Sequence, residues 1–283
     1  MPVTLLGAAE IRALAAELDV TPTKKLGQNF VVDANTVRRI VQVAGVEPGD
    51  RVVEVGPGLG SLTLAILEAE ASVTAIEIDH RLAARLPETA AAHGVRAGAL
   101  TVVDADALRV TALAGDPAVL VANLPYNVSV PVLLHFLETF PRLRRGVVMV
   151  QAEVGERLAA RPGSKTYGAP SAKAAWYGTW RLAGTVSRQV FWPVPNVDSV
   201  LVGFQRDAVP RGTEDERRRT FVLVDAAFQQ RRKMLRQALS GVLGGSSADA
   251  SALLERAGVE PTARGEELTI GDFQRIAQSL PGT

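Results

Sequence analysis

The chain is predicted to fold as an α/β protein: an open parallel sheet flanked by helices, followed by a small all-α region. Three observations carry that reading. Short β-branched or apolar runs alternate with helix-period segments between 51 and 151. The first of these runs, Arg51 to Val55, passes directly into a glycine turn and an apolar helix. From Asp207 onward the strand signals stop, and helical patterns continue to the end of the chain.

With 283 residues, 47% hydrophobic and 22% charged, the chain is sized for one large domain or two unequal ones; the change of texture at Asp207 divides it into 1–207 and 208–283. The absence of cysteine excludes disulfides, thiolate metal sites and a thiol nucleophile, and it is compatible with a reducing cytoplasm. Three scattered histidines, His80, His93 and His135, give no basis for a metal site, so none is expected. The first twenty residues lack a basic segment followed by an apolar run, and no apolar span is long enough to cross a bilayer, so a cytoplasmic protein without a membrane partner is expected. The net charge of +1 identifies no partner; the distribution of charge has to be read instead.

In chain order, Glu10 to Leu18 has helical spacing and stops at Thr21-Pro22. Lys24-Lys25-Leu26-Gly27-Gln28-Asn29-Phe30 is no core pattern and reads either as a solvated loop or as a lid that turns amides and lysines toward a ligand. Asp33 to Thr36 can cap a helix whose apolar positions are Val37, Ile40, Val41 and Ala44. In Glu54-Val55-Gly56-Pro57-Gly58-Leu59-Gly60 the glycines admit a ligand close to the backbone and a helix N-terminus. The spacing lacks the third glycine of a pyrophosphate loop, and the Glu54 carboxylate would repel a diphosphate while favouring a cation.

The next strand, Ser72 to Asp79, ends in acids about 20 residues beyond the turn, where a ribose diol is held; Glu77 is the first choice and Asp79, a helix cap, the second. A third strand, Leu100 to Val103, delivers Asp106, which either bonds an adenine amine or solvates a strand end. The fourth, Ala118 to Ala122, delivers Asn123-Leu124-Pro125-Tyr126, and a fifth spans Gly146 to Gln151 after the helix Val132 to Phe140. Glycine turn, Glu77, Asp106 and Asn123 thus share the carboxyl edge of the sheet, where ligands bind. Beyond a helix at Glu153 to Ala160, the stretch Pro162 to Gly178 reads as a surface loop with a short helix. Strands are expected at Val186 to Phe191 and Val197 to Phe204, with Phe191-Trp192 either a core plug or a stacking surface. Within 217–236, seven basic residues face one acid, Asp225; Phe221, Val224, Phe228, Leu235 and Leu239 form an apolar seam on one helix, while Arg218, Arg232 and Arg236 recur on another face. Such a face is either simply solvated or suited to a phosphate backbone.

Taken together, a cationic ligand without a diphosphate, a ribose acid and an adenine acid specify S-adenosylmethionine better than a dinucleotide, and the tetrapeptide resembles the Asn/Asp-Pro-Pro-aromatic signature of methyltransferases acting on exocyclic nucleobase amines. Gly27 to Phe30, Glu54 to Gly60, Asn123 to Asn127, Phe191-Trp192-Pro193-Val194-Pro195-Asn196-Val197-Asp198-Ser199 and Phe228-Gln229-Gln230-Arg231-Arg232-Lys233 together resemble the kasugamycin-sensitivity family of ribosomal RNA adenine dimethyltransferases over nearly the whole chain. The resemblance implies a Rossmann-like, S-adenosylmethionine-dependent methyltransferase domain with a seven-stranded sheet, a helical RNA-binding domain, and dimethylation of N6 on two adjacent adenosines in the 3′-terminal hairpin of small-subunit RNA.

It further implies that Asn29 and Val31 line the cofactor, Gly56 backs its methionine end, Glu77 holds the ribose and Asp106 the adenine, with Gln28, Glu54, Gly58, Ile78 and Ala107 completing that site. Asn123 stands between cofactor and base; Leu124 and Pro125 present a carbonyl; Tyr126 and Phe191 stack on the flipped adenine. Lys24, Lys25, Arg218, Arg231, Arg232, Lys233 and Arg236 are the expected RNA contacts. The expected partner is the immature small subunit, met by a monomer. A large-subunit RNA methyltransferase conferring antibiotic resistance and a non-catalytic RNA-binding assembly factor are the competing readings.

Overall fold

Buried β-branched runs set the sheet. In the computed structural model, which describes residues 2–20, 29–125 and 128–280, the strands are β1 (Phe30–Val31), β2 (Arg51–Val55), β3 (Ser72–Glu77), β4 (Leu100–Asp104), β5 (Val119–Asn123), β6 (Arg145–Gln151), β7 (Gly178–Val186), β8 (Phe191–Trp192) and β9 (Ser199–Arg206). Seven form one sheet in the order β4-β3-β2-β5-β6-β9-β7, and β1 pairs antiparallel with β8 in a separate ladder. Strands β4, β3, β2, β5 and β6 run parallel, and β9 returns antiparallel to β6. The chain fills one side of β2 with β3 and β4 before β5 pairs on its other side, in register from Val52↔Val119 to Val55↔Ala122. That reversal of strand order opens a crevice at the carboxyl ends of β2 and β5.

The helices that cover the sheet are α1 (Ala8–Glu17), α2 (Ala34–Ala44), α3 (Ser61–Glu68), α4 (His80–Ala92), α5 (Ser129–Thr139) and α6 (Ala152–Leu158). Local chemistry fixes their ends. Asp33 accepts from the Thr36 backbone N–H at 2.7 Å and starts α2, and Asp79 accepts from Arg81 N–H at 3.0 Å and starts α4. The core beneath α2 and α3 joins Val37, Ile40, Ile66, Val121, Met149 and Phe191.

Two compact units are bounded as Met1–Gly155 with Arg181–Arg206, and Glu156–Trp180 with Asp207–Thr283. The sequence reading cuts the chain once, at 207/208, and so places 156–180 in the first domain; in the structure this segment, carrying α7 (Ala169–Ala174), groups with α8 (Glu214–Gln229), α9 (Leu235–Ala238), α10 (Ser247–Arg256) and α11 (Ile270–Gln278). A few side chains account for this. The buried Tyr167 donates its hydroxyl to the Leu268 carbonyl at 2.9 Å and sets its ring edge-on to Phe228, while Lys173 bonds Asp225 at 2.8 Å.

Two further expectations are corrected. The strand expected at Val186 to Phe191 is displaced: β7 ends at Val186, and the Ser187 hydroxyl accepts from Gln189 N–H, turning Arg188–Val190 into a single helical turn. The single helix expected beneath Phe221 to Leu239 is broken after Gln229, because the backbone N–H groups of Leu235 and Arg236 bond the carbonyls of Ala263 and Pro261 instead of a preceding turn. Among the described residues no helix is long and apolar enough to cross a membrane.

The close spacing of β5 and β6 depends on the lack of a side chain at Gly146. A Cβ there would lie 2.2 Å from the Leu120 carbonyl oxygen and 2.6 Å from the Phe204 ring, whereas one at Gly203 would meet Arg181 at an ordinary 3.7 Å. Gly146→Ala is therefore expected to destabilise the fold by about 2–3 kcal/mol and Gly203→Ala by well under half of that, as read from urea denaturation midpoints.

Candidate active site

Strand β2 carries Glu54 and then a turn whose first two glycines have φ of +70° at Gly56 and +59° at Gly58, a left-handed backbone that side chains resist. At Gly58 space is restrictive as well, since a Cβ there would lie 2.9 Å from the Phe30 ring, whereas one on Gly56 would meet the Asn123 carbonyl oxygen at an ordinary 3.7 Å. The turn thus lies directly against the end of β5, and between them opens a cleft of about 260 Å³. Its walls include Leu59, Leu62, Leu82, Val128 and Val132, with Ile78 and Leu108 exposed at the rim.

The only ionisable side chains lining this cleft among the described residues are carboxylates: Glu54, Glu77 and Asp106. Glu77, 5% exposed, is oriented by three backbone donors: Gly58 N–H at 3.0 Å on one oxygen, and Ile78 N–H at 2.9 Å and Asp79 N–H at 3.0 Å on the other. Burial raises its pKa, the three amides pull it back, and the nearby Asp79 charge adds to the rise. Glu54 is 1% exposed, and its one hydrogen bond given by the structure is from the Thr63 hydroxyl at 2.6 Å. Burial pushes its carboxyl up to about 8; the Thr63 hydroxyl opposes the shift and the charge of Glu77 adds to it. Asp106 uses one oxygen to accept from Leu108 N–H at 3.0 Å, and Ala107 behind it is buried.

At the end of β5, the Asn123 side-chain nitrogen donates to the Asn29 backbone carbonyl at 3.1 Å. A carbonyl can only accept, so this contact fixes which end of the amide is which and assigns Oδ1 to the acceptor position. Leu124 is buried and its N–H bonds the Met149 carbonyl at 3.1 Å, holding the tetrapeptide to β6, and Pro125 forms part of the cleft wall.

Of the expected cofactor residues, Asn29, Val31, Gly56, Gly58, Ile78 and Ala107 line the same cleft as the three acids and Asn123. Gln28, Lys24, Lys25 and Tyr126 lie outside the described residues. Phe191, expected to stack on the base, is 2% exposed, packs in the core with Val31 and Ile40, and is not among the residues lining this cleft. The ring that does reach the cleft is Phe30, which stacks on Trp192 at 6.3 Å. The signal for Phe30 is its place beside Asn29, though an aromatic residue there reads equally well as lid or core.

The basic stretch is also corrected in part. A count begun at Arg217 misses Glu214 and Asp215 one turn upstream: Arg217 bonds Glu214 at 2.7 Å, Arg218 bonds it at 2.8 Å, and Arg219 pairs with Asp215. Arg231 is engaged by Glu266 at 2.7 Å and by the Lys165 carbonyl at 2.8 Å. Arg232 and Lys233 are exposed, while Arg236 is half-buried and acts by charge on Glu260.

Comparison with known proteins agrees with this arrangement. The family model described as "Ribosomal RNA adenine dimethylase" matches residues 21–281. A protein of Leifsonia xyli subsp. xyli named "Ribosomal RNA small subunit methyltransferase A" is 69% identical over 274 residues, 96% of this chain and 98% of that protein. One of the same name from Streptomyces coelicolor is 60% identical over 98% of this chain and 97% of its own length. Among solved structures, a dimethyladenosine transferase from Plasmodium falciparum superposes with a TM-score of 0.75 at 23% identity, covering 86% of this chain and 94% of that one, and so shares the fold. The 23S rRNA methyltransferase ErmE gives 0.66 at 26% identity over 89% and 99% of the two chains. With a family match spanning 261 consecutive positions, 21–281, and relatives this similar over almost their full length, the chain belongs to the ribosomal RNA adenine dimethylase family.

Proposed function

We propose that the chain is an S-adenosylmethionine-dependent methyltransferase that dimethylates N6 of two adjacent adenosines in the 3′-terminal hairpin of small-subunit (16S) RNA, acting in the cytoplasm as a monomer on the immature small subunit. The observation that carries this reading is the pairing of an all-carboxylate cleft with an oriented amide at its mouth.

The cleft suits the cofactor on three counts. Its acids favour a cation and disfavour a diphosphate. Gly56 and Gly58 hold the turn in a left-handed backbone that presents main chain without side chains to the cleft. Buried Glu54 has no cationic partner among the residues lining the cleft. Glu77 would hold the ribose, Asp106 the adenine between Ile78 and Leu108, and Asn29, Val31 and Gly56 the remaining walls. When bound, the cofactor supplies an electrophilic methyl group.

The protein's task is to make a poor nucleophile attack. The N6 lone pair of adenine is delocalised into the ring, so the amine must bend toward tetrahedral geometry. Asn123 Oδ1, held as an acceptor because its Nδ2 is tied to Asn29, and the Leu124 carbonyl, aimed by Pro125, would take the two N6 hydrogens and align the lone pair. No base is needed before attack, since the proton can leave after methyl transfer. Tyr126 would stack on the flipped base, with Phe191, next to Trp192 in the β1–β8 ladder, as the second ring of the pair. Arg232, Lys233 and Arg236 are the cations best placed for the phosphate backbone.

A large-subunit target is the second reading, favoured by the likeness to ErmE. The names of relatives at 60–69% identity weigh toward the small subunit. Incubating purified subunits with methyl-labelled cofactor distinguishes them: label in 16S RNA supports the proposal, and label confined to large-subunit RNA overturns it.

Asn123→Ala is expected to lower methyl transfer by about 10²–10³-fold with cofactor affinity changed far less; near-normal turnover would remove Asn123 from the mechanism. Replacing Arg232, Lys233 and Arg236 together by alanine is expected to raise KM for RNA and to flatten the dependence of log K on log salt by up to about 0.9 per lost phosphate contact, leaving cofactor binding unchanged in calorimetry.

A further inference from the structure

We infer that Glu54 is a proton-linked counter-ion of the cofactor site, carrying a proton while the cleft is empty and releasing it to solvent when a positively charged cofactor enters. The inference rests on the proposed cofactor and adds a positioning residue and a regulation of binding that the assigned roles of Glu77, Asp106 and Asn123 do not contain.

The geometry makes the case. Glu54 sits in the middle strand of the parallel sheet, between Ala75 of β3 and Val121 of β5, and is 1% exposed. Its carboxyl lines the cleft and accepts from the Thr63 hydroxyl of α3 at 2.6 Å. Of the charged groups lining the cleft with it, Glu77 at the end of β3 acts on it by charge and Asp106 comes from the loop after β4; β5 and α3 contribute only the uncharged Asn123, Thr63 and Ser61. No lysine, arginine or histidine lines the cleft among the described residues. A carboxylate this little exposed is poorly hydrated, no cation lines the cleft beside it among the described residues, and a second carboxylate repels it. Binding a proton is the way it stays neutral. Its pKa of about 8 in the empty cleft agrees with that state at neutral pH. Glu77 differs because three backbone N–H groups already hold its charge, whereas Glu54 has one hydroxyl.

S-adenosylmethionine carries a sulfonium and an ammonium charge into the cleft. Either lowers the free energy of the Glu54 carboxylate, so the O–H bond of the carboxyl breaks, the electron pair stays on the oxygen, and the proton passes to buffer. The spent cofactor has lost the sulfonium charge and retains the carboxylate less strongly. Loss of the methyl group is thereby coupled to reprotonation of Glu54 and to release, which a site loaded repeatedly for successive methyl transfers requires.

The test is calorimetric titration of the full chain with S-adenosylmethionine, at pH 7, in buffers of different ionisation enthalpy. Net proton release approaching one per site is expected, with S-adenosylhomocysteine releasing less. Affinity for S-adenosylmethionine is expected to rise by up to about tenfold per pH unit between pH 6 and 7.5. Because the cofactor's own amine titrates nearby, Glu54→Gln is the control: it should abolish most of the release and flatten the pH profile. Thr63→Val, which removes the hydroxyl that favours the charged form, should shift the profile to higher pH. A stability readout needs no ligand. Glu54 has its folded pKa above the unfolded value, so the empty protein loses stability as pH rises from about 4.5 to about 8, and Glu54→Gln should melt higher than the parent above pH 8. Proton release unchanged in Glu54→Gln, or heats independent of buffer, would overturn the linkage while leaving the cofactor reading intact; absence of any S-adenosylmethionine binding would overturn the cofactor reading itself.

Discussion

Everything at the site depends on the parallel pairing of β2 with β5. These strands are not consecutive, and the register Val52↔Val119 to Val55↔Ala122 ends both at the same level. One residue later the chain turns at Gly56 on one side and β5 ends at Asn123 on the other, with Gly56 so close that a Cβ would touch the Asn123 carbonyl. A slip of the register by one residue would invert every inward side chain of β5 and carry Asn123 away from the cleft. The glycine turn, the acids and the tetrapeptide are therefore consequences of one strand pairing, and Gly146, which lets β6 close against β5, secures it from the far side.

The same edge concentrates negative charge where water is scarce. Two carboxyls, Glu54 and Glu77, are at most 5% exposed there, and the chain stabilises them unequally. Glu77 receives three main-chain donors, from Gly58 of the turn and from Ile78 and Asp79 after β3. Glu54 receives one hydroxyl. A site built in this way sacrifices stability when empty and recovers it when a cation arrives, which couples occupancy to local order without any moving part.

The fold and most of the cleft were legible in the sequence because they are written in short-range signals. β-branched runs ending at Gly56, Glu77, Asp106 and Asn123 mark strand ends directly, and a parallel sheet necessarily collects those ends on one edge. What could not be read depended on distant partners. Phe191 offers the same ring to a base or to a core, and its packing with Val31 and Ile40 is a tertiary contact that no local pattern shows. The break after Gln229 is invisible in the helical period because the groups that compete for the backbone, Pro261 and Ala263, lie some 25 residues further on. The segment 156–180 joins the helical unit through Tyr167 and Lys173, which lie in a stretch that reads as a surface loop until their partners Leu268 and Asp225 are known. Paired arginines are a milder case, since their partners Glu214 and Asp215 stand just one turn upstream of Arg217.

The near-zero net charge hides a separation that the proposed chemistry requires. A cationic cofactor needs carboxylates in a dry cleft, and a polyanionic substrate needs cations in water; placed together, each set would neutralise the other. The chain keeps them apart in sequence and in unit. Acids occupy the carboxyl ends of β2, β3 and β4, with no base lining the cleft among the described residues, while Arg232 and Lys233 stand in the turn after α8, beyond the reach of the Glu214 and Asp215 carboxylates that engage their neighbours. The helix ends at Gln229, and Arg232 and Lys233 are exposed in the turn that follows, before Leu235 resumes the core.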